Sequence, residues 1–105
     1  MSHPLIDIIK ETIHSSPVVI FMKGTPDAPQ CGFSMRAADV LKQAGATELR
    51  AIDVLSDDSL WEALEEHTQW PTVPQVFIRG EFVGGCDILS EMHETGELEK
   101  LIAQN

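Results

Sequence analysis

Apolar residues recur along this chain in two kinds of pattern, and each pattern predicts one kind of secondary structure. Residues 3–15 place apolar side chains three or four positions apart, which predicts an amphipathic helix. The run Val18–Met22 is instead continuous and rich in β-branched residues, which is typical of a strand buried on both faces. Residues 24–30 contain two prolines and a glycine, and we expect them to form a loop.

The same two patterns alternate through the middle of the chain. A second helix is expected to begin just after Cys31, with Phe33 on its apolar face and Gly45 at its C-terminal end. We expect residues 49–54 to form a second strand. Residues 56–58 (Ser-Asp-Asp) supply capping side chains for a third helix, which the segment 70–74 interrupts.

The last third of the chain predicts a β-hairpin followed by two short helices. Residues 75–78 and 82–83 flank a turn at residues 79–81, and Asp87 could cap the helix that follows. The resulting order, α-β-α-β-α-β-β-α-α, predicts an α/β fold with a mixed four-stranded sheet flanked on both faces by about five helices. We expect residues 1–105 to form a single domain.

Composition and charge narrow the function classes. The chain has 105 residues and a formal net charge of −10, and residues 53–105 carry twelve of the seventeen acids but only two of the seven bases. Such a surface repels phosphate backbones, so we expect no nucleic-acid partner. The apolar runs are too short for a membrane span and no secretory leader is recognisable, so we expect no membrane partner and a cytoplasmic location.

The two cysteines are too few for a disulfide framework or a four-cysteine metal site. Cys31 follows a buried strand and opens a helix, where unpaired N–H groups favour a thiolate, and Lys23 could add positive charge. The alternative is an inert buried thiol. Position 34 is Ser34, so Cys31 has no partner in a C-x-x-C pair and would react with a thiol from elsewhere.

Four segments of the chain, in this order and spacing, resemble the signature segments of monothiol, CGFS-type glutaredoxins. They are Lys23-Gly24-Thr25-Pro26, Cys31-Gly32-Phe33-Ser34, Trp70-Pro71-Thr72-Val73-Pro74-Gln75 and Gly84-Gly85-Cys86-Asp87. The resemblance covers about residues 5–102 and is closest to the single-domain bacterial or mitochondrial type. It implies a thioredoxin fold and a 2Fe–2S cluster held between two subunits, each giving the Cys31 thiolate and one glutathione thiolate.

The resemblance also implies a glutathione site. Lys23 would pair with the glycyl carboxylate, and the backbone of Val73, before a cis Pro74, would meet the cysteinyl part of glutathione. The γ-glutamyl end would lie at the start of a helix, which bears Gly85, Cys86 and Asp87.

Two residues of that implied site have more than one interpretation. Trp61 stands where such glutaredoxins usually carry a basic residue, so we expect weaker glutathione binding; the helical pattern favours core packing of its ring over a ring that faces the ligand. Cys86 is either a small packed residue or a resolving thiol that forms a disulfide with Cys31.

The resemblance implies a cluster carrier: a homodimer when cluster-bound, or a heterodimer with a BolA-like protein, that delivers clusters to apo iron–sulfur proteins. If the chain is a processed form, it would work in the mitochondrial matrix. The alternative is an enzyme, a glutathione-dependent oxidoreductase in which the Cys31 thiolate attacks protein–glutathione mixed disulfides. The four histidines lack metal-ligand spacing, so we expect no histidine metal site.

Overall fold

The structure, a computed structural model, describes residues 3–104 and contains a central four-stranded sheet. Strand β1 (Val18–Met22) pairs in parallel with β4 (Leu49–Asp53) and antiparallel with β5 (Gln75–Ile78), which pairs in turn with β6 (Glu81–Gly84). The sheet is mixed and four-stranded, as predicted, and its strands lie in the order β4-β1-β5-β6.

Within the described residues, five α-helices cover the sheet, which confirms the predicted α/β architecture. They are α1 (Ile6–Ile13), α2 (Gly32–Gln43), α3 (Asp58–Thr68), α4 (Cys86–Thr95) and α5 (Glu97–Ala103), with a 3₁₀ turn over Val54–Ser56. None of the helices within residues 3–104 has the length and apolar character needed to cross a membrane.

The alternation of β1 side chains divides the apolar core into two layers. Ile20 and Met22 pack towards α2, α4 and α5, while Val19 and Phe21 pack towards α1 and α3. All five residues of β1 are buried, as the continuous apolar run predicts. Phe21 meets Phe77 of β5 edge to face, with the ring centroids 5.7 Å apart.

Two helix ends follow the predicted chemistry, and the predicted hairpin turn is present with one residue fewer. Gly45 follows α2 with a φ of +98°, and the N–H of Ala46 donates to the carbonyl of Leu41 at 3.0 Å, which is a Schellman ending. Asp57 caps α3 by accepting from two backbone N–H groups of the first turn. The β5–β6 hairpin turns on Arg79 and Gly80, both with positive φ, so the turn is one residue shorter than expected.

Four local expectations are wrong. The first helix is Ile6–Ile13 rather than residues 3–15, and the segment 24–30 is not only a loop, because β2 (Gly24–Thr25) and β3 (Ala28–Pro29) pair in it. The residue that precedes α4 as its N-cap is Gly85, and Asp87 lies in the first turn. Phe33 does not pack in the core, since 62% of it is exposed in the first turn of α2.

Candidate functional site

A cleft of about 700 Å³ lies beyond the carboxyl end of β1, where the N-termini of α2 and α4 meet α3 and the segment before β5. All eight site residues expected from the resemblance line it. These are Lys23, Cys31, Trp61, Val73, Pro74, Gly85, Cys86 and Asp87. Apolar residues that were not predicted to be site residues, including Phe33, Trp70 and Ile88, complete its walls. Ligand sites of α/β sheets lie in this position, at the carboxyl ends of strands.

Cys31 is half-buried at the N-cap of α2, with extended backbone and a free thiol. The backbone N–H groups of Ser34 and Phe33 lower the pKa of this thiol below its ordinary value. Partial desolvation opposes that shift, while the charge of Lys23 and the Ser34 hydroxyl add to it. The outcome is a thiol with enhanced thiolate character, the form that acts as nucleophile and metal ligand.

Ser34, which stands where a second redox cysteine would be, is fully buried. Its Oγ accepts a hydrogen bond of 3.1 Å from the backbone N–H of Lys23. The hydroxyl therefore ties the end of β1 to the first turn of α2 and holds Lys23 and Cys31 in the same part of the cleft.

Asp53, the last residue of β4, also positions this segment and was not anticipated from the sequence. Its Oδ1 accepts from the N–H groups of Gly24 and Leu55, both at 2.9 Å. Gly24 has a φ of +86°, and a Cβ there would lie 2.5 Å from the carbonyl oxygen of Ala28, so only glycine fits without strain. The carboxylate thus anchors the β2–β3 hairpin that carries the chain from Lys23 to Cys31.

The segment before β5 presents backbone to the cleft. The Val73–Pro74 peptide bond is cis, as predicted. Gln75 is fully buried, and its Nε2 donates to the carbonyls of Trp70 (2.9 Å) and Thr72 (3.0 Å). Within residues 3–104, neither the N–H nor the carbonyl of Val73 forms a hydrogen bond, so both can pair with a ligand.

Gln75 was missed because a lone glutamine in an apolar strand pattern carries no functional signal. Its side chain spans the bend from Trp70 to Thr72 and so shapes the wall of the cleft. The signal that could have found it is its place directly after Pro74, where a buried amide can satisfy the irregular backbone.

The start of α4 forms the opposite end of the cleft. Gly85 lies so close to the segment before β5 that a Cβ on it would meet the carbonyl oxygen of Pro74 at 3.0 Å. Cys86 is 6% exposed and has a free thiol, so its packed interpretation describes this structure, and a disulfide with Cys31 stays a prediction. Asp87 is exposed in the first turn of the helix, beside the free N–H groups of the helix end.

Trp61 faces the cleft as well as the core. Its ring packs against the α1–α3 side of the core, yet the Lys23 ammonium lies over the ring, 5.4 Å from its centroid. Core packing, favoured from the helical pattern, therefore describes only part of its surroundings. The indole Nε1 is buried and has no hydrogen-bond partner within residues 3–104.

No group of three or more histidine, cysteine, aspartate or glutamate side chains in the described part of the chain could hold a metal ion.

Comparison with known proteins gives a consistent result. The family model described as Glutaredoxin matches residues 18–83. A monothiol glutaredoxin-S4, mitochondrial, of Oryza sativa subsp. japonica is 51% identical over 96 residues, which are 91% of this chain and 51% of the relative. A monothiol glutaredoxin-5, mitochondrial, of Lachancea kluyveri is 50% identical over 96 residues, which are 90% of this chain and 67% of the relative. The chain thus spans about half the length of the rice relative.

Among solved structures, the crystal structure of a buckwheat glutaredoxin–glutathione complex superposes with a TM-score of 0.80 at 31% identity. The superposition covers 92% of this chain and 86% of that one.

Proposed function

The chain belongs to the glutaredoxin family, with monothiol glutaredoxins among its close relatives, and from this premise we propose that it carries a 2Fe–2S cluster. The cluster would be held at a subunit interface with glutathione and passed to apo iron–sulfur proteins. The observation that carries the proposal is the single half-exposed thiol at the cleft, Cys31, with a lowered pKa and a buried serine three residues on.

Glutathione fits the chemistry of the cleft at three points. The ammonium of Lys23 can pair with one carboxylate, and the free backbone groups of Val73 can pair with the peptide as an added strand. The N-terminus of α4, with Asp87 beside it, can take an α-carboxylate and its neighbouring ammonium. The glutathione complex of the buckwheat relative supports this assignment.

A ligand count supports a cluster shared between two chains. Iron–sulfur clusters are commonly held by four thiolates, and each chain offers one accessible thiol at the cleft. Two copies of Cys31 and two glutathione thiolates make four. The cluster would be cargo, because two of its four ligands are not covalently attached to the protein.

The surroundings of Cys31 suit the approach of a second subunit. Phe33, Trp70 and Ile88 line the cleft and are 62%, 49% and 45% exposed. A Cβ on Gly32 would touch nothing within 4 Å, so the space beside Cys31 is open. The same surface could meet a BolA-like protein in place of a second copy. We propose a cytoplasmic location, or the mitochondrial matrix in line with the names of the relatives.

Anaerobic reconstitution with iron, sulfide and glutathione tests the carrier function. We expect a coloured dimer on size exclusion that requires glutathione and is abolished in Cys31→Ser. Cys86→Ser is the matched control, since it removes the other thiol while leaving Cys31 in place. A colourless monomer under these conditions, or a cluster that survives Cys31→Ser, would contradict the proposal.

A second candidate function is glutathione-dependent reduction of protein–glutathione mixed disulfides, and the lowered pKa of the accessible Cys31 thiol favours it. The Cys31 thiolate would attack the glutathione sulfur and release the protein thiolate. Free glutathione would then attack the Cys31–glutathione disulfide, giving glutathione disulfide and regenerating Cys31. Rapid reduction of protein–glutathione mixed disulfides by a protein that fails to assemble a cluster would favour this enzymatic function over the carrier function.

A further inference from the structure

Lys23 is the cation of the cleft. Of the basic residues within the described chain it alone lines the cavity, and its ammonium forms no ion pair with a carboxylate of residues 3–104. The ammonium instead lies over the Trp61 ring, 5.4 Å from the ring centroid. A lysine left without a partner would sample many rotamers, and binding would have to order it.

We propose that Trp61 is a positioning residue that holds the Lys23 ammonium at the cleft and does not itself bind the ligand's carboxylate. Tryptophan offers the most favourable aromatic face for a cation. The backbone of Lys23 is fixed at both ends, because its N–H donates to Ser34 and its carbonyl accepts from Gln30. The ring then restrains the one part of this residue that remains free, its side chain.

Trp61 also lies beside a group of acidic side chains. Its ring forms part of the wall of the cleft and of a smaller hollow lined by Asp58, Glu62 and Glu65, whereas Lys23 lines only the cleft. With the ring in place the ammonium stays on the cleft side, available to an incoming anion. The inference rests on the proposed glutathione site, since it assigns the ligand carboxylate to a single, pre-positioned cation.

A double-mutant cycle on glutathione binding, followed by calorimetry, tests the coupling. Trp61→Leu should weaken glutathione binding about two- to fivefold, the range expected for one cation–π contact near the surface. In a Lys23→Met background the same change should have no further effect. Trp61→Phe should weaken binding less than Trp61→Leu, and this conservative variant keeps the test readable if leucine disturbs folding.

A second ligand and a matched control sharpen the assignment. Glutathione with a glycyl amide in place of the glycyl carboxylate offers no C-terminal charge to Lys23, so its affinity should be the same for the wild type and Trp61→Leu. Trp70→Leu removes another tryptophan of the cleft, one that makes no cation–π contact within residues 3–104. Its effect on glutathione affinity should be equal in the wild-type and Lys23→Met backgrounds. A Trp61→Leu loss that is equal in both backgrounds would overturn the proposal.

Side-chain NMR separates this inference from the proposed function. The ε-methylene protons of Lys23 should be shifted upfield by the indole ring current in the wild type, and the shift should vanish in Trp61→Leu. If the wild type binds no glutathione, the proposed glutathione site fails while this measurement still decides the contact. An unshifted Lys23 signal in the wild type would refute the positioning role even if glutathione binds.

Discussion

Replacing Asp53 with alanine should both destabilise the fold and loosen the cleft. Asp53 lies opposite Met22 at the carboxyl end of the sheet, and its Oδ1 accepts from the N–H groups of Gly24 and Leu55. Alanine removes both acceptor contacts, whereas Asp53→Asn keeps an oxygen in the same place. The pair of variants therefore separates the geometry of this side chain from its charge.

The expected loss follows from the surroundings of the two hydrogen bonds. A hydrogen bond to a charged group is worth about 1.5–3 kcal/mol, and less where water can replace it. The hydrogen bond from Gly24 is part-buried and the one from Leu55 is exposed, so the second contributes near the lower end of this energy range. We expect Asp53→Ala to lose about 2–3 kcal/mol of unfolding free energy and Asp53→Asn to lose about 1 kcal/mol.

Urea unfolding and alkylation of Cys31 measure the two effects. Asp53→Ala should lower the urea midpoint by roughly 1–2 M at an unchanged slope. It should also slow alkylation of Cys31 at neutral pH, because a loosened hairpin carries Lys23 away from the thiolate that its charge favours. An unchanged urea midpoint in Asp53→Ala, or a loss of stability in Asp53→Asn as large as that in Asp53→Ala, would contradict these expectations.

Three further changes test other parts of the site. The alkylation rate of Cys31 should rise with pH through a midpoint below the pKa of an unperturbed thiol. Folding lowers this pKa, so the thiolate stabilises the fold fully at pH values above the pKa of the unfolded chain. This stabilisation is lost as the pH falls through the pKa of the folded protein. The stability advantage over Cys31→Ser, measured by urea unfolding, should therefore grow between neutral pH and about pH 9. Gly24→Ala should cost about 2 kcal/mol or more in calorimetry, because of its positive φ and the 2.5 Å approach to a carbonyl oxygen. Gly32→Ala meets open space, so its melting temperature should be unchanged or raised, while its yield of reconstituted cluster dimer should fall.

Elements with a periodicity sustained over many residues, or with a long apolar run, could be predicted from the sequence. The buried strand Val18–Met22 and the Gly45 ending of α2 carry strong local signals, and both are found. The β2–β3 hairpin has strands of two residues, too short for any period, and Pro29 lies within it. Phe33 fits the apolar face of α2 by spacing, but it lies in the first turn of that helix and lines the cleft, where 62% of it is exposed.

The cleft residues were predictable as a set, whereas the residues that position them were not. Lys23, Cys31 and Val73 lie in recognisable segments, and the structure brings them to one cavity. Asp53 and Gln75 act through hydrogen bonds to backbone groups that the fold alone brings within reach. Nothing local in the sequence distinguishes such an aspartate from a solvated one, because its partner, Gly24, is twenty-nine positions away.

The net charge of −10 is compatible with an anion site, because the field of the whole surface and the local charges of the cleft act over different distances. A polyanion such as nucleic acid meets the summed field of the surface, which repels it. A small anion in the cleft meets Lys23 and the N-termini of α2 and α4, each equivalent to roughly half a positive charge. Since helix ends add positive potential without adding basic residues, a charge count overlooks them. This acidic chain can therefore bind a carboxylate or stabilise a thiolate with one lysine at the cleft.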